Sequence, residues 1–102
     1  MGKLAVIGAG QMGSGIAQVA AQFAKIPQIV LFDKCQNQLD TQKTKLMAFL
    51  EKAKQKGTIG DEEINRLSSI KSTTNLNDLQ GSDFVIEVPR NTNYFIINHF
   101  IL

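Results

Sequence analysis

The chain has no tryptophan, one tyrosine, one histidine, one cysteine and two prolines in 102 residues. With Cys35 alone, an internal disulfide is excluded, and a reducing compartment, cytoplasm or mitochondrial matrix rather than the exterior, is expected. No partner base is readable near Cys35, so it reads as an inert thiol. No metal site is expected. The longest apolar stretch falls far short of the roughly 20 residues that span a bilayer. Residues 1–7 run straight into a strand pattern, with neither a signal-peptide apolar region nor an Arg-rich presequence, so the chain reads as starting at its fold. A net charge of +2, with lysines interleaved among acids, is too small to imply nucleic acid. Neither a membrane nor a nucleic-acid partner is expected, and no internal repeat or low-complexity segment is evident.

What is present begins with glycine. Gly8-Ala9-Gly10-Gln11-Met12-Gly13 follows the strand-like run Lys3–Ile7 and opens the helix-like run Ser14–Ala20. Such a hexamer alone is a weak signal. A second apolar run, Gln28–Phe32, ends at Asp33, 20 residues past Gly13. That spacing places an acid at the tip of a second strand, where it can hold the ribose hydroxyls of a dinucleotide. Gly8 permits the tight turn, Gly10 the approach of a pyrophosphate, and Gly13 close packing of helix on strand. The helix N-terminus offers N–H groups and a positive dipole end to the phosphates. The loop lacks the Gly-Lys-Ser/Thr ending of an ATP-binding P-loop. A carboxylate at Asp33 repels a 2′-phosphate, so NAD is expected over NADP, with Lys34 directed to solvent.

At 43% hydrophobic and 20% charged, the composition is that of one globular domain at most. The length supplies the first half of a doubly wound site and the start of the second. Beyond Asp33, Leu39, Leu46, Met47, Phe49, Leu50 and Ala53 recur at helical spacing, and Gly57 supplies a stop. Asp61 opens a second helix with acids in its first turn. Together these predict a helical hairpin from about 36 to 69, longer than an ordinary crossover. Lys43, Lys45, Lys52, Lys54 and Lys56 flank its stripe. They read as a solvated face supported by i,i+4 pairs, or as an electropositive surface for a phosphate-bearing substrate; the former is the commoner outcome. Residues 70–74 read as a short strand, Leu76–Leu79 as a helical turn, and Asp83–Glu87 as a buried strand. Alternation of this kind predicts parallel pairing with right-handed crossovers, and places Gly8, Asp33 and the segment after Glu87 on one rim. Glu87 reads as a strand-end carboxylate that caps or pairs locally, with a catalytic role as the rarer alternative. The fold class is α/β, an incomplete Rossmann-type parallel sheet with a helical-hairpin insertion.

LAVIGAGQMGSGIAQVAA from Leu4, VLFD at 30–33, the lysine-rich hairpin, TTNLNDL at 73–79 and DFVIE at 83–87 carry a resemblance. The chain resembles the N-terminal domain of NAD-dependent L-3-hydroxyacyl-CoA dehydrogenases over about 1–88, and 3-hydroxybutyryl-CoA and gulonate-type dehydrogenases share this half. The resemblance implies oxidation of an L-3-hydroxyacyl-CoA by hydride transfer to NAD, in fatty-acid oxidation, and a homodimer formed through a C-terminal helical domain. It implies NAD contacts at Gly8, Ala9, Gly10, Gln11, Met12, Gly13 and Asp33. It also implies that the hairpin leans over the acyl-CoA, with Lys56 a phosphate or adenine contact.

The family pattern departs after the last of these strands. Its usual continuation is a short apolar link into Glu-Asn with a Lys following. Here Val88-Pro89-Arg90-Asn91 follows, with Arg90 in place of the Glu and Phe95 in place of the Lys. Charge reversal at Arg90 is expected to disturb cofactor placement. Residues 89–102 form an atypical apolar tail. A family-like continuation would make 93–102 an amphipathic helix, yet that run carries no Lys, Arg, Asp or Glu. It reads as an altered or truncated end and an aggregation hazard. His99 has no acid beside it in sequence and is not assigned as the family's catalytic base. No catalytic residue is expected within the chain. The expectation is the NAD-binding portion of a dehydrogenase, or alternatively a non-catalytic or vestigial nucleotide-binding fragment.

Overall fold

A computed structural model describes residues 2–88 and 99–101 of the chain. Strand β1 (Lys3–Ile7) leads through the glycine loop into helix α1 (Gln11–Gln22) and strand β2 (Gln28–Phe32). The hairpin follows as α2 (Gln36–Lys56) and α3 (Asp61–Ser68), then β3 (Lys71–Thr73), a 3₁₀ turn at Leu76–Leu79, β4 (Phe84–Glu87) and β5 (His99–Ile101). The sheet order is β3-β2-β1-β4-β5. β1 pairs in parallel with β2 and β4, and β2 in parallel with β3. The chain thus moves outward from β1 to β3 and then crosses back to the other side of β1. That reversal is the topological switch point of a dinucleotide fold.

β5 departs from the all-parallel expectation. It pairs antiparallel with β4, with Glu87 opposite His99 and Val85 opposite Ile101. An amphipathic helix over 93–102 is therefore corrected at 99–101, where an uncharged aromatic and β-branched run completes a sheet edge instead. The rest of that segment lies outside the described residues.

Alternation along the strands sorts the core. Leu4, Val6, Ile29 and Leu31 pack beneath α1 with Ala17, Ala20 and Ala21, and Leu39 and Leu67 join them from the hairpin. Alanines along one side of α1 let the helix lie close to the sheet. On the opposite face Ala5, Val30 and Phe32 are buried, and the 3₁₀ turn packs against β2. The Lys3 Nζ clasps that turn through the carbonyls of Asp78 (2.8 Å) and Gln80 (2.6 Å). β4 is less buried than its composition predicts, with Phe84, Val85 and Ile86 all half-exposed.

The hairpin is tied down mainly by α3. Arg66 donates from Nε to the carbonyl of Ala21 (2.8 Å) and from a terminal nitrogen to that of Gln22 (3.3 Å). Those are the last carbonyls of α1, which have no helical partner and carry the negative dipole end. Gln22 returns a bond to Glu63 at 3.1 Å. α2 ends at Gly57, in the left-handed region at φ 67°, as its position in the sequence predicts. On α2, Leu39 and Ala53 are buried and Leu46 and Leu50 pack half-buried against the core, all on one helical face; Met47 and Phe49 fall to either side of that face and stay exposed.

Candidate cofactor-binding site

Three backbone bonds align the C-terminal ends of the strands. The amide of Gly8 donates to the carbonyl of Phe32 (2.8 Å), that of Val88 to Ile7 (2.9 Å), and that of Asp33 to Thr73 (3.2 Å). Gly8, Asp33 and the exit from β4 therefore share one rim. The glycines there answer different steric demands. Gly8 has φ 109°, and a Cβ on it would stand 2.8 Å from the carbonyl oxygen of Val88. A Cβ on Gly13 would stand 1.7 Å from the oxygen of Gly8, so α1 could not start where it does. Gly10 differs: its Cβ position faces open space, with no protein atom within 4 Å.

Gly10 is also the N-cap of α1, with extended backbone and no side-chain cap, and the first turn carries no acid. Gln11 is exposed and Met12 half-exposed, whereas Ala9 is buried. The helix thus presents N–H groups and a positive dipole end to an open space beside Gly10, which fits an anionic phosphate.

Asp33 is buried, and its carboxylate joins the loop to the next helix. Oδ2 accepts from the amide of Ala9 at 2.9 Å, and Oδ1 accepts from that of Cys35, also at 2.9 Å. The second bond is an Asx-type turn that starts α2. Sequence spacing located Asp33 but did not reveal this structural work. An acid two residues before a helix cap is the signal that could have found it. Cys35, half-buried and a free thiol, is the N-cap of α2.

A cleft of about 290 Å³ opens along this rim between β1, β2 and β4, lined by Gly8, Asp33, Lys34, Glu87 and Val88 among others. Lys34 is exposed, as its place in the sequence predicts, yet it stands on the lip of the cleft. Glu87 is exposed on the same lip and its carboxylate makes no hydrogen bond or ion pair among the described residues, which corrects the expectation of a local cap. Val88, which sequence reasoning passed over, closes the floor beneath Gly8; the close approach is non-local and leaves no mark in the sequence. Arg90, Asn91 and Phe95, the positions of departure, lie outside the described residues. The side chain of His99 is likewise outside them.

Lys56 sits on the last turn of α2, away from the cleft lining, and is exposed together with Lys43, Lys45, Lys52 and Lys54. None of the five forms an ion pair, so the i,i+4 support expected of them is not there. The described residues contain no group of three His, Cys, Asp or Glu able to hold a metal, and no helix long and apolar enough to cross a membrane.

The strand order, the glycine turn and the acid at the end of β2 define a dinucleotide-binding Rossmann domain. Residues 3–93 match the family described as 3-hydroxyacyl-CoA dehydrogenase, NAD binding domain, and the chain belongs to that family. Its cofactor is NAD. A probable 3-hydroxybutyryl-CoA dehydrogenase of Deinococcus radiodurans is 44% identical over 85 residues, covering 83% of this chain and 30% of that one. A 3-hydroxybutyryl-CoA dehydrogenase of Clostridioides difficile is 42% identical over 91 residues, with the same coverage. The crystal structure of 3-hydroxybutyryl-CoA dehydrogenase from Escherichia coli superposes with a TM-score of 0.74 at 33% identity, covering 84% of this chain and 18% of that one. The chain spans about 30% of the length of these curated relatives.

Proposed function

We propose that this chain is a partial Rossmann domain, the NAD-binding portion of a dehydrogenase that oxidises an L-3-hydroxyacyl-CoA in fatty-acid oxidation. The observation that carries the reading is the joint held by Asp33: its carboxylate lies at the end of β2, bonded to the glycine loop at Ala9. There it can accept from the ribose hydroxyls of NAD, while its charge repels a 2′-phosphate. The backbone at Gly8, Ala9, Gly10, Gln11, Met12 and Gly13 would hold the pyrophosphate, with Gly10 leaving the necessary space. Bound NAD supplies a hydride acceptor. The chain's own residues bind and orient it, and none of them is assigned as the family's catalytic base.

The substrate class follows from the relatives, and the exposed lysines of α2 support it. Lys45, Lys52 and Lys56 recur at i, i+7 and i+11, so they lie along one stripe of the helix, with Phe49 between them. Unpaired ammonium groups around an exposed ring suit the phosphates and adenine of CoA. Titrating the chain with CoA tests this: Lys56→Ala is expected to weaken binding about threefold to tenfold while leaving NADH binding unchanged. Equal CoA affinity in the variant would remove Lys56 from the site. The homodimer and the cytoplasmic or mitochondrial setting of the full-length family remain part of the proposal.

A further inference from the structure

A second space lies apart from the cofactor cleft: a cavity of about 180 Å³ where the hairpin crosses the body, bounded by α1, α2, α3 and the sheet. The two spaces share no lining residue. The buried part of its lining is Ala17, Leu31 and Leu67 with Ser14, whose hydroxyl donates to the carbonyl of Ala9 (3.3 Å); Leu46, Leu50 and Ile70 form half-buried walls beside Gln18 and Gln42, and Ser68 and Ser72 lie exposed at the rim. Among the described residues no buried side-chain nitrogen or oxygen lacks a partner. Apolar cavities of about 150 Å³ stay dry and take up a six-carbon guest. Among the described residues the lining contains no carboxylate, and its only charged one is Lys43, exposed on α2.

An aliphatic interior with one ammonium at the opening is complementary to a molecule with the opposite arrangement. We propose that this cavity binds a straight-chain alkanoate of about six to eight carbons, its tail among Leu31, Leu46, Leu50 and Leu67 and its carboxylate beside Lys43. The size sets the chain length, because the interior holds about six carbon groups and the remainder reach the mouth. Tail burial supplies the affinity and Lys43 the preference for an acid over an alcohol. Since the cavity and the cleft are separate, alkanoate and NADH bind together.

The test is a titration of ¹⁵N- and methyl-labelled chain with octanoate, with 1-octanol as the neutral control. Saturable shifts are expected for Ala17, Leu31, Leu46 and Leu67, with a dissociation constant of about a millimolar, unchanged when NADH is present. Lys43→Glu, a surface change that leaves the core intact, is expected to weaken octanoate about fivefold and leave octanol unchanged. Ala17→Leu, which fills the cavity, is expected to abolish both; if that variant misfolds, Leu50→Phe serves instead. Absence of saturable shifts, shifts centred on Met12 and Ile86 across α1, or equal octanoate affinity in Lys43→Glu would each overturn the proposal.

Discussion

Gly13 and Asp33 carry most of the argument at the scale of single residues, and Gly13 offers the sharper stability test. An alanine there would put a Cβ 1.7 Å from the Gly8 oxygen and 2.9 Å from its carbonyl carbon, both backbone atoms that cannot rotate away. Gly13→Ala is therefore expected to cost about 3 kcal/mol or more, read as a lowered melting temperature. Gly10→Ala meets open space and is expected to keep its fold, so the pair separates a packing glycine from a ligand-facing one. Asp83 gives a pH dependence. Its carboxylate accepts from the amides of Lys3 (2.9 Å) and Gly2 (2.7 Å), and these bonds hold its pKa below the ordinary 3.8. A depressed carboxylate contributes stability that is present above 3.8 and is lost as pH falls through the folded value. Thermal melts should fall in midpoint below about pH 4, with Asp83→Asn showing a shallower fall. An unchanged acid limb in that variant would show that the amide bonds do not matter to folding.

Among the elements, the hairpin behaves as an appendage with a single strong anchor. Arg66 supplies that anchor by capping the last carbonyls of α1, and its side chain is only 21% exposed. Its contact with Glu62, at 4.0 Å to a 94% exposed side chain, contributes little. Removing the guanidinium leaves two carbonyls partly unmet and α3 held by Leu67 and the Gln22–Glu63 bond. Hydrogen exchange should therefore accelerate about tenfold in α2 and α3 of Arg66→Ala, with the amides of β1 and β2 unaffected. Uniform acceleration across the sheet would instead mean that the hairpin and the body unfold as one unit. The periodicity of α2 predicted its existence and its end at Gly57, since both are local properties. It overstated burial, because Met47 and Phe49 lie to either side of the face that Leu39, Leu46, Leu50 and Ala53 turn to the core, and an apolar residue type does not by itself place a side chain on that face.

Taken whole, the molecule shows where sequence reasoning reaches its limit. The parallel order around β1 was legible because the glycine turn, the acid at 33 and the alternating elements all imply the same crossover geometry. The antiparallel β5 was not, since pairing between Glu87 and His99 depends on contacts that no local pattern records. The candidate site divides in the same way. Loop glycines are visible in sequence because each meets a steric need, whereas the approach of Val88 and the two amides on Asp33 exist only once the strands are aligned. That second role also complicates mutagenesis: Asp33→Ala would loosen the loop and α2 along with any ribose contact. Cofactor choice by the unaltered chain is the more direct measurement. Titrating it with NADH and NADPH, followed by nicotinamide fluorescence or calorimetry, should show NADH bound at least about tenfold more tightly, as a carboxylate facing a 2′-phosphate requires. Equal affinities, or a preference for NADPH, would contradict the assignment of Asp33 to the ribose and with it the central claim about this site.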